Sequence, residues 1–279
     1  MSASRLSVLI YHRVLAAPDP LLPSLPDVQR FDRQMALLRR HFTVLPVSQA
    51  VRRLQDQTLP PRAACITFDD GYADNAEYAL PVLQKYGLNA TFFIASGYLD
   101  GGQMWNDDII DYVRQAGGGP QTLDQLLMEL KYLPFEHRQR TASALAPPRR
   151  RPLMLRSDQL RALHAAGMEI GAHTHRHPIL AAVPDADARA DIAQGKAMLE
   201  AIIQAPVTLF AYPNGKPGAD YCQRHVHMVQ EIGFDAAFST VAGAAYEGSD
   251  LLQLPRFTPW EPDRLRFLLR LLAQRRVAV

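Results

Sequence analysis

The chain has 279 residues, 48% of them hydrophobic, enough for one large domain or two small ones with a sizeable core. Thirty Lys and Arg against 28 Asp and Glu leave a formal net charge of +2, too little for the field that holds a phosphate backbone, so nucleic acid is not an expected partner. No apolar run approaches the ~20 residues of a membrane span, and Cys65 and Cys222 are too few for a disulfide framework. The start, where Leu6 to Tyr11 runs straight into His12 and Arg13, reads as a strand rather than a secretory leader, and the expected location is cytoplasmic.

In chain order, short runs rich in Val, Ile and Phe predict strands over 7–11, 63–68, 90–94, 168–172, 208–212, 236–239 and 251–254. Helical apolar spacing predicts helices over 30–42, 49–54, 75–86, 107–115, 158–166, 185–203, 218–232 and 262–273, with Ser48 and Ser157 placed as N-caps. About seven strands alternating with helices favour a closed (β/α) barrel or a doubly wound sheet. Both gather ligands at the C-terminal ends of the strands. Residues 1–279 read as one domain. The rhythm breaks over 117–153, which opens on Gly117-Gly118-Gly119-Pro120 and ends in prolines and arginines, and which reads as an insertion, either a lid or a solvated excursion.

Two motifs carry chemistry. Thr67-Phe68-Asp69-Asp70-Gly71-Tyr72 places adjacent carboxylates just past a strand end, where one can ligate a cation while its neighbour stays free to take a proton. His173-Thr174-His175-Arg176-His177-Pro178 comes after another strand. His173 and His177 share a face if the loop makes a helical turn, whereas an extended segment aligns all three histidines, and Pro178 disfavours the helical form without deciding the pair. Together the motifs supply two imidazole nitrogens and a carboxylate with positions left open for water and substrate, the arrangement of a catalytic metal.

Thr-Phe-Asp-Asp-Gly followed by His-Thr-x-x-His-Pro resembles the polysaccharide deacetylases of the NodB-homology, carbohydrate esterase 4 type, over about residues 7–256. The resemblance implies a distorted (β/α) barrel of about seven strands and a divalent metal, zinc with cobalt or nickel as alternatives. It implies hydrolysis of N-acetyl groups on an amino sugar in a polysaccharide, oligosaccharide or biosynthetic precursor. It maps the base to Asp69 and the metal ligands to Asp70, His173 and His177, leaving His175 a bystander. The family's Arg-x-Pro-aromatic-Gly motif is altered here to Ala211-Tyr212-Pro213-Asn214-Gly215. Asn214 can still offer a backbone N–H to an oxyanion, and Arg256 is the candidate replacement for the missing arginine. The family's C-terminal Leu-x-His motif is absent. His12, in a Tyr-His pair similar to that of the poly-N-acetylglucosamine deacetylase branch, becomes the candidate general acid.

Weaker candidates are Trp105, Asn106, Asp107 and Asp108, either sugar contacts or an acidic helix start, and Tyr72 and Tyr212, cleft or core. His225 and His227 are expected to be solvated, and Trp260 either packs or stacks on sugar. The rival functions are a non-sugar amidase on the same fold, an inactive carbohydrate-binding protein and a two-His-one-carboxylate iron oxygenase.

Overall fold

The computed structural model describes residues 5–145 and 152–277. Its strands β1 (Ser7–Tyr11), β3 (Ala63–Phe68), β4 (Thr91–Ile94), β5 (Glu169–Ala172), β6 (Leu209–Ala211) and β7 (Ala236–Phe238) pair side by side in that order, all parallel. A two-residue strand, β2 (Thr43–Val44), adds to the start of β3 and had no alternating signal to reveal it. The helices are α1 (Val28–His41), α2 (Val47–Gln55), α3 (Leu80–Tyr86), α4 (Trp105–Gln115), α5 (Pro120–Lys131), α6 (Phe135–Leu145), α7 (Ser157–Ala165), α8 (Asp185–Ile203), α9 (Gln223–Glu231) and α10 (Arg264–Gln274). The first turn of the expected 75–86 helix is π-wound, Asn75–Ala79. No helix among the described residues is long and apolar enough to cross a membrane.

The expected strand over 251–254 does not form. The Asp250 carboxylate accepts from Leu252 N at 2.9 Å and folds the segment into a turn. The next residues close the barrel instead: Leu254 N donates to Ala237 O, and Phe257 N to Val8 O, so residues 254–257 bridge β7 to β1. The result is a distorted (β/α) barrel. Alternation sends Ile66 and Phe68 outward against the helices, while Cys65 packs inward with Val8, Phe93, Ala211 and Phe238. Val47, Ala50, Val51 and Leu54 of α2 join that inner cluster and plug the end where the strands begin. The opposite end, where they finish, stays open.

Both predicted serine caps are corrected. The N-cap positions are Pro46 and Arg156, and carboxylates from distant elements serve the free amides instead. Glu169 accepts from Val47 N (2.6 Å) and Ser48 N (3.1 Å), and Asp100 accepts from Ser157 N (2.7 Å) and its hydroxyl. An anion at a helix start serves the orphan amides and the dipole together, so a tertiary carboxylate can outcompete a local hydroxyl. In the 117–153 stretch, α5 and α6 pack on α4 through Trp105, Ile109, Val113, Leu123, Leu130 and Ala142, a small core of its own. Residues 146–151 lie outside the described residues.

Candidate metal centre and active site

Asp69 and Asp70 leave β3 at the open end, and His173 leaves β5 beside them. Asp70 has φ +77° and Gly71 φ +92°, so the chain turns through two left-handed residues. Glycine takes the second without strain. At the other motif Thr174 (φ +65°) and His177 (φ +55°) form a tight loop whose Thr174 hydroxyl accepts from His177 N at 3.0 Å. That loop is held from behind by α8. Asp191, buried mid-helix, accepts from His175 N and Arg176 N at 2.8 Å each and from Arg176 Nε at 2.7 Å. One turn on, Gly195 lets the helix approach, since a Cβ there would sit 2.6 Å from the Thr174 carbonyl carbon.

The loop resolves which histidines converge. His173 Nε2 and His177 Nε2 lie 3.1 Å apart, and Asp70 Oδ1 stands 3.6 Å from the first and 3.4 Å from the second. Ligands about 2.0–2.1 Å from a tetrahedral cation are separated by roughly 3.3 Å, so the three atoms fit one face of such a site. His173 Nδ1 donates to Ala211 O at 2.7 Å, which fixes its tautomer with the Nε2 lone pair toward the cluster. Burial, with the neighbouring His173, pushes the His177 pKa well down and keeps that ring neutral as a ligand must be. This Asp-His-His group is a possible metal site. His175 turns away, its Nδ1 2.9 Å from the Ser96 hydroxyl.

Beneath the cluster Arg256, fully buried, reaches up from the closing segment. Its two terminal nitrogens donate to Asp69 Oδ1 and Oδ2 at 2.7 and 2.8 Å, and its Nε to Ser239 O at 3.0 Å. The Phe93 and Phe238 rings flank the guanidinium. Burial alone would raise the Asp69 pKa, but Arg256 and then His173 outweigh it and hold the carboxyl below the usual range. Asp70 differs: burial raises it despite His12 and His173.

Asp69, Asp70, His173, His177, His12 and Asn214 line a single cleft of about 350 Å³. Asp74 and Asn75, just beyond the Asp-Asp-Gly turn, set the position of His12: Asn75 Nδ2 donates to His12 O at 2.9 Å, and Asp74 accepts from Arg13 Nε at 2.8 Å and Val14 N at 3.2 Å. Asn214 has φ +61°, its carbonyl accepts from the Thr240 hydroxyl at 2.7 Å, and no described residue accepts from its backbone N–H.

The weaker candidates divide. Trp105 and Asn106 line the cleft, whereas Asp107, in the first turn of α4, is buried where the Tyr72 hydroxyl donates to it at 3.3 Å. Burial, opposed by Arg13, raises the Asp107 pKa to about 7. Tyr212 is core, stacked on Tyr221 at 3.8 Å. His225 is not solvated: it is buried at the third position of α9, where its Nδ1 accepts from Cys222 N at 3.0 Å. His227 contacts Gln223 on the exposed side of α9, and Trp260 is half exposed with Arg270 over its ring. Sequence reasoning missed Asp191, because a lone acid inside a polar helix gives no signal of burial. It also missed Leu127, Met128 and Lys131, by which α5 walls the cleft.

The polysaccharide deacetylase family model matches residues 56–237, more than half of the chain. YxkH of Bacillus subtilis (strain 168), which carries a provisional polysaccharide deacetylase name, is 22% identical over 255 residues, 91% of this chain and 71% of the relative. Among solved structures, the Streptococcus pyogenes deacetylase PplD in complex with acetate superposes with a TM-score of 0.71 at 19% identity, covering 95% of this chain and 98% of that one. IcaB from Ammonifex degensii gives 0.67 at 21%, covering 96% of each. At such identities the likeness of structure is one of fold.

Proposed function

Since the chain belongs to the polysaccharide deacetylase family, we propose that it is a metal-dependent hydrolase that removes N-acetyl groups from an N-acetylated amino sugar in a polysaccharide, an oligosaccharide or a biosynthetic precursor. The observation that carries this reading is the convergence of Asp70, His173 and His177 beside an Arg256-held Asp69 in one cleft. The donor set, one hard carboxylate and two imidazoles, suits zinc, with cobalt or nickel as alternatives. Such a cation supplies Lewis acidity to the amide carbonyl and lowers the pKa of water.

The chain's own groups do the rest. Asp69, ionised and aimed by the two-point grip of Arg256, takes a proton from the attacking water. The Asn214 N–H donates to the carbonyl oxygen as it gains negative charge. His12 gives a proton to the departing nitrogen, so that the C–N bond breaks to a free amine and acetate. The whole chain acts as one catalytic unit in which α5 walls the cleft, and Trp105 and Met128 offer apolar surface to a sugar ring. The acetate held by PplD is the product this reaction would release.

The test is Asp69→Asn, which is isosteric and spares the three ligand atoms. The variant keeps metal and loses turnover by at least ~100-fold, the usual scale for a general base. Full turnover with metal bound would remove Asp69 from that role.

A further inference from the structure

Helix α10 presents apolar side chains on both faces. Phe267 and Leu271 are buried in the core, yet Leu265, Leu269 and Leu272, spaced i, i+4, i+7 on the opposite side, are 63%, 55% and 38% exposed. A surface helix normally turns its charged face to water, and a row of three outward leucines is a patch rather than scattered exposure. Trp260, on the segment leading into the helix, adds an exposed indole.

The patch lies among cations. Arg264, Arg266 and Arg276 are exposed, and the nearby carboxylates are committed: Asp263 caps the helix by accepting from Arg266 N at 2.9 Å, and Glu261 pairs with Arg270. At the far end Arg275, its pKa lowered by burial and by the charges of Arg5 and Arg62, marks a basic cluster. With a net charge of only +2 on the whole chain, this is a local asymmetry.

We propose that α10 docks the protein on an anionic lipid surface, with Leu265, Leu269 and Leu272 entering the interface and Arg264, Arg266 and Arg276 meeting lipid phosphates. Leucines on one side with arginines at their flanks suit a helix lying in the plane of a membrane. A two-fold contact with a second copy would bring the same arginines against each other. The leucines also stand on a convex helix face, and a bilayer needs no complementary groove. The proposal is independent of the acetamide chemistry and concerns where the enzyme works.

The experiment is flotation of the full chain with vesicles of phosphatidylcholine alone or mixed with phosphatidylglycerol, at low and high salt. Binding is expected to the anionic vesicles only, to weaken with salt, and to fall at least ~10-fold in Leu265→Asp/Leu269→Asp. Both positions are solvent-exposed and outside the cleft, so melting temperature and acetate release from a soluble substrate stay unchanged and report folding separately. Absence of binding to anionic vesicles, or binding that survives the double substitution, overturns the proposal. So does a wild-type dimer that the substitution dissolves while vesicle binding stays absent, which would give the face to self-association. So does retention on an acidic protein surface without vesicle binding.

Discussion

Arg256 and Asp69, 187 residues apart and both buried, meet through two parallel hydrogen bonds of 2.7 and 2.8 Å at the floor of the cleft. Ala211, where the motif resemblance would put an arginine, offers only its carbonyl, which accepts from His173. The guanidinium enters from the segment that closes the barrel. Arg256→Lys keeps the charge but not the fork, and kcat/KM is expected to fall by at least ~10-fold with metal content intact. Arg256→Gln strands a buried carboxylate, with an expected loss of about 3–5 kcal/mol in denaturant unfolding. A folded Arg256→Lys variant with full kcat/KM would show that the grip does not orient the base.

Asp191 touches no ligand atom but ties down the backbone between the two histidines. Asp191→Ala is expected to weaken metal affinity by about 10–100-fold, the range for groups that orient ligands indirectly, as read by titration against a chromophoric chelator. Gly195→Ala forces α8 away from Thr174 and should act in the same direction. Unchanged affinity in both would mean the loop holds its shape unaided.

Asn214 is argued to act through its main chain, so its side chain should matter only for conformation. At φ +61° a β-branched residue costs about 1–2 kcal/mol, whereas glycine costs little. Asn214→Gly should keep kcat within a few-fold, and Asn214→Val should lower the melting temperature and kcat together. A large kcat loss in Asn214→Gly with normal stability would assign the amide side chain a direct part.

Asp107 makes stability depend on pH. Its pKa in the folded chain is about 7 against ~3.9 for an unfolded aspartate, so between those values the folded state holds a proton that the unfolded state has released. Stability from this group is present below about pH 4 and lost as pH rises to about 7. Asp107→Asn cannot titrate. In chelator, its melting temperature minus that of the wild type should climb from about pH 4 to 7 and level off above. A flat difference would mean that Asp107 is ionised throughout.

Much of this molecule was legible in the sequence because it rests on local pattern. The β3 run 63–68 ends in the Asp-Asp-Gly turn as expected, since six buried residues and a left-handed glycine leave few alternatives. The pair His173 and His177 was open from spacing alone, and it is Asp191 on α8, far along the chain, that shapes the loop to bring them together. The caps failed for the same reason, as Glu169 and Asp100 approach from other elements. The burial of His225 was missed because a helical histidine beside polar neighbours looks solvated until its N-cap partner, Cys222, is in place.

The most direct measurement is acetate release from a panel of N-acetylglucosamine oligomers and precursors, by the purified protein as isolated, after chelation, and after return of zinc or cobalt. The account predicts release that disappears with the chelator and returns with the metal. Release untouched by chelation would contradict the metal centre. No release from any substrate with metal demonstrably bound would contradict the deacetylase reading and favour a non-sugar amidase or a saccharide-binding protein.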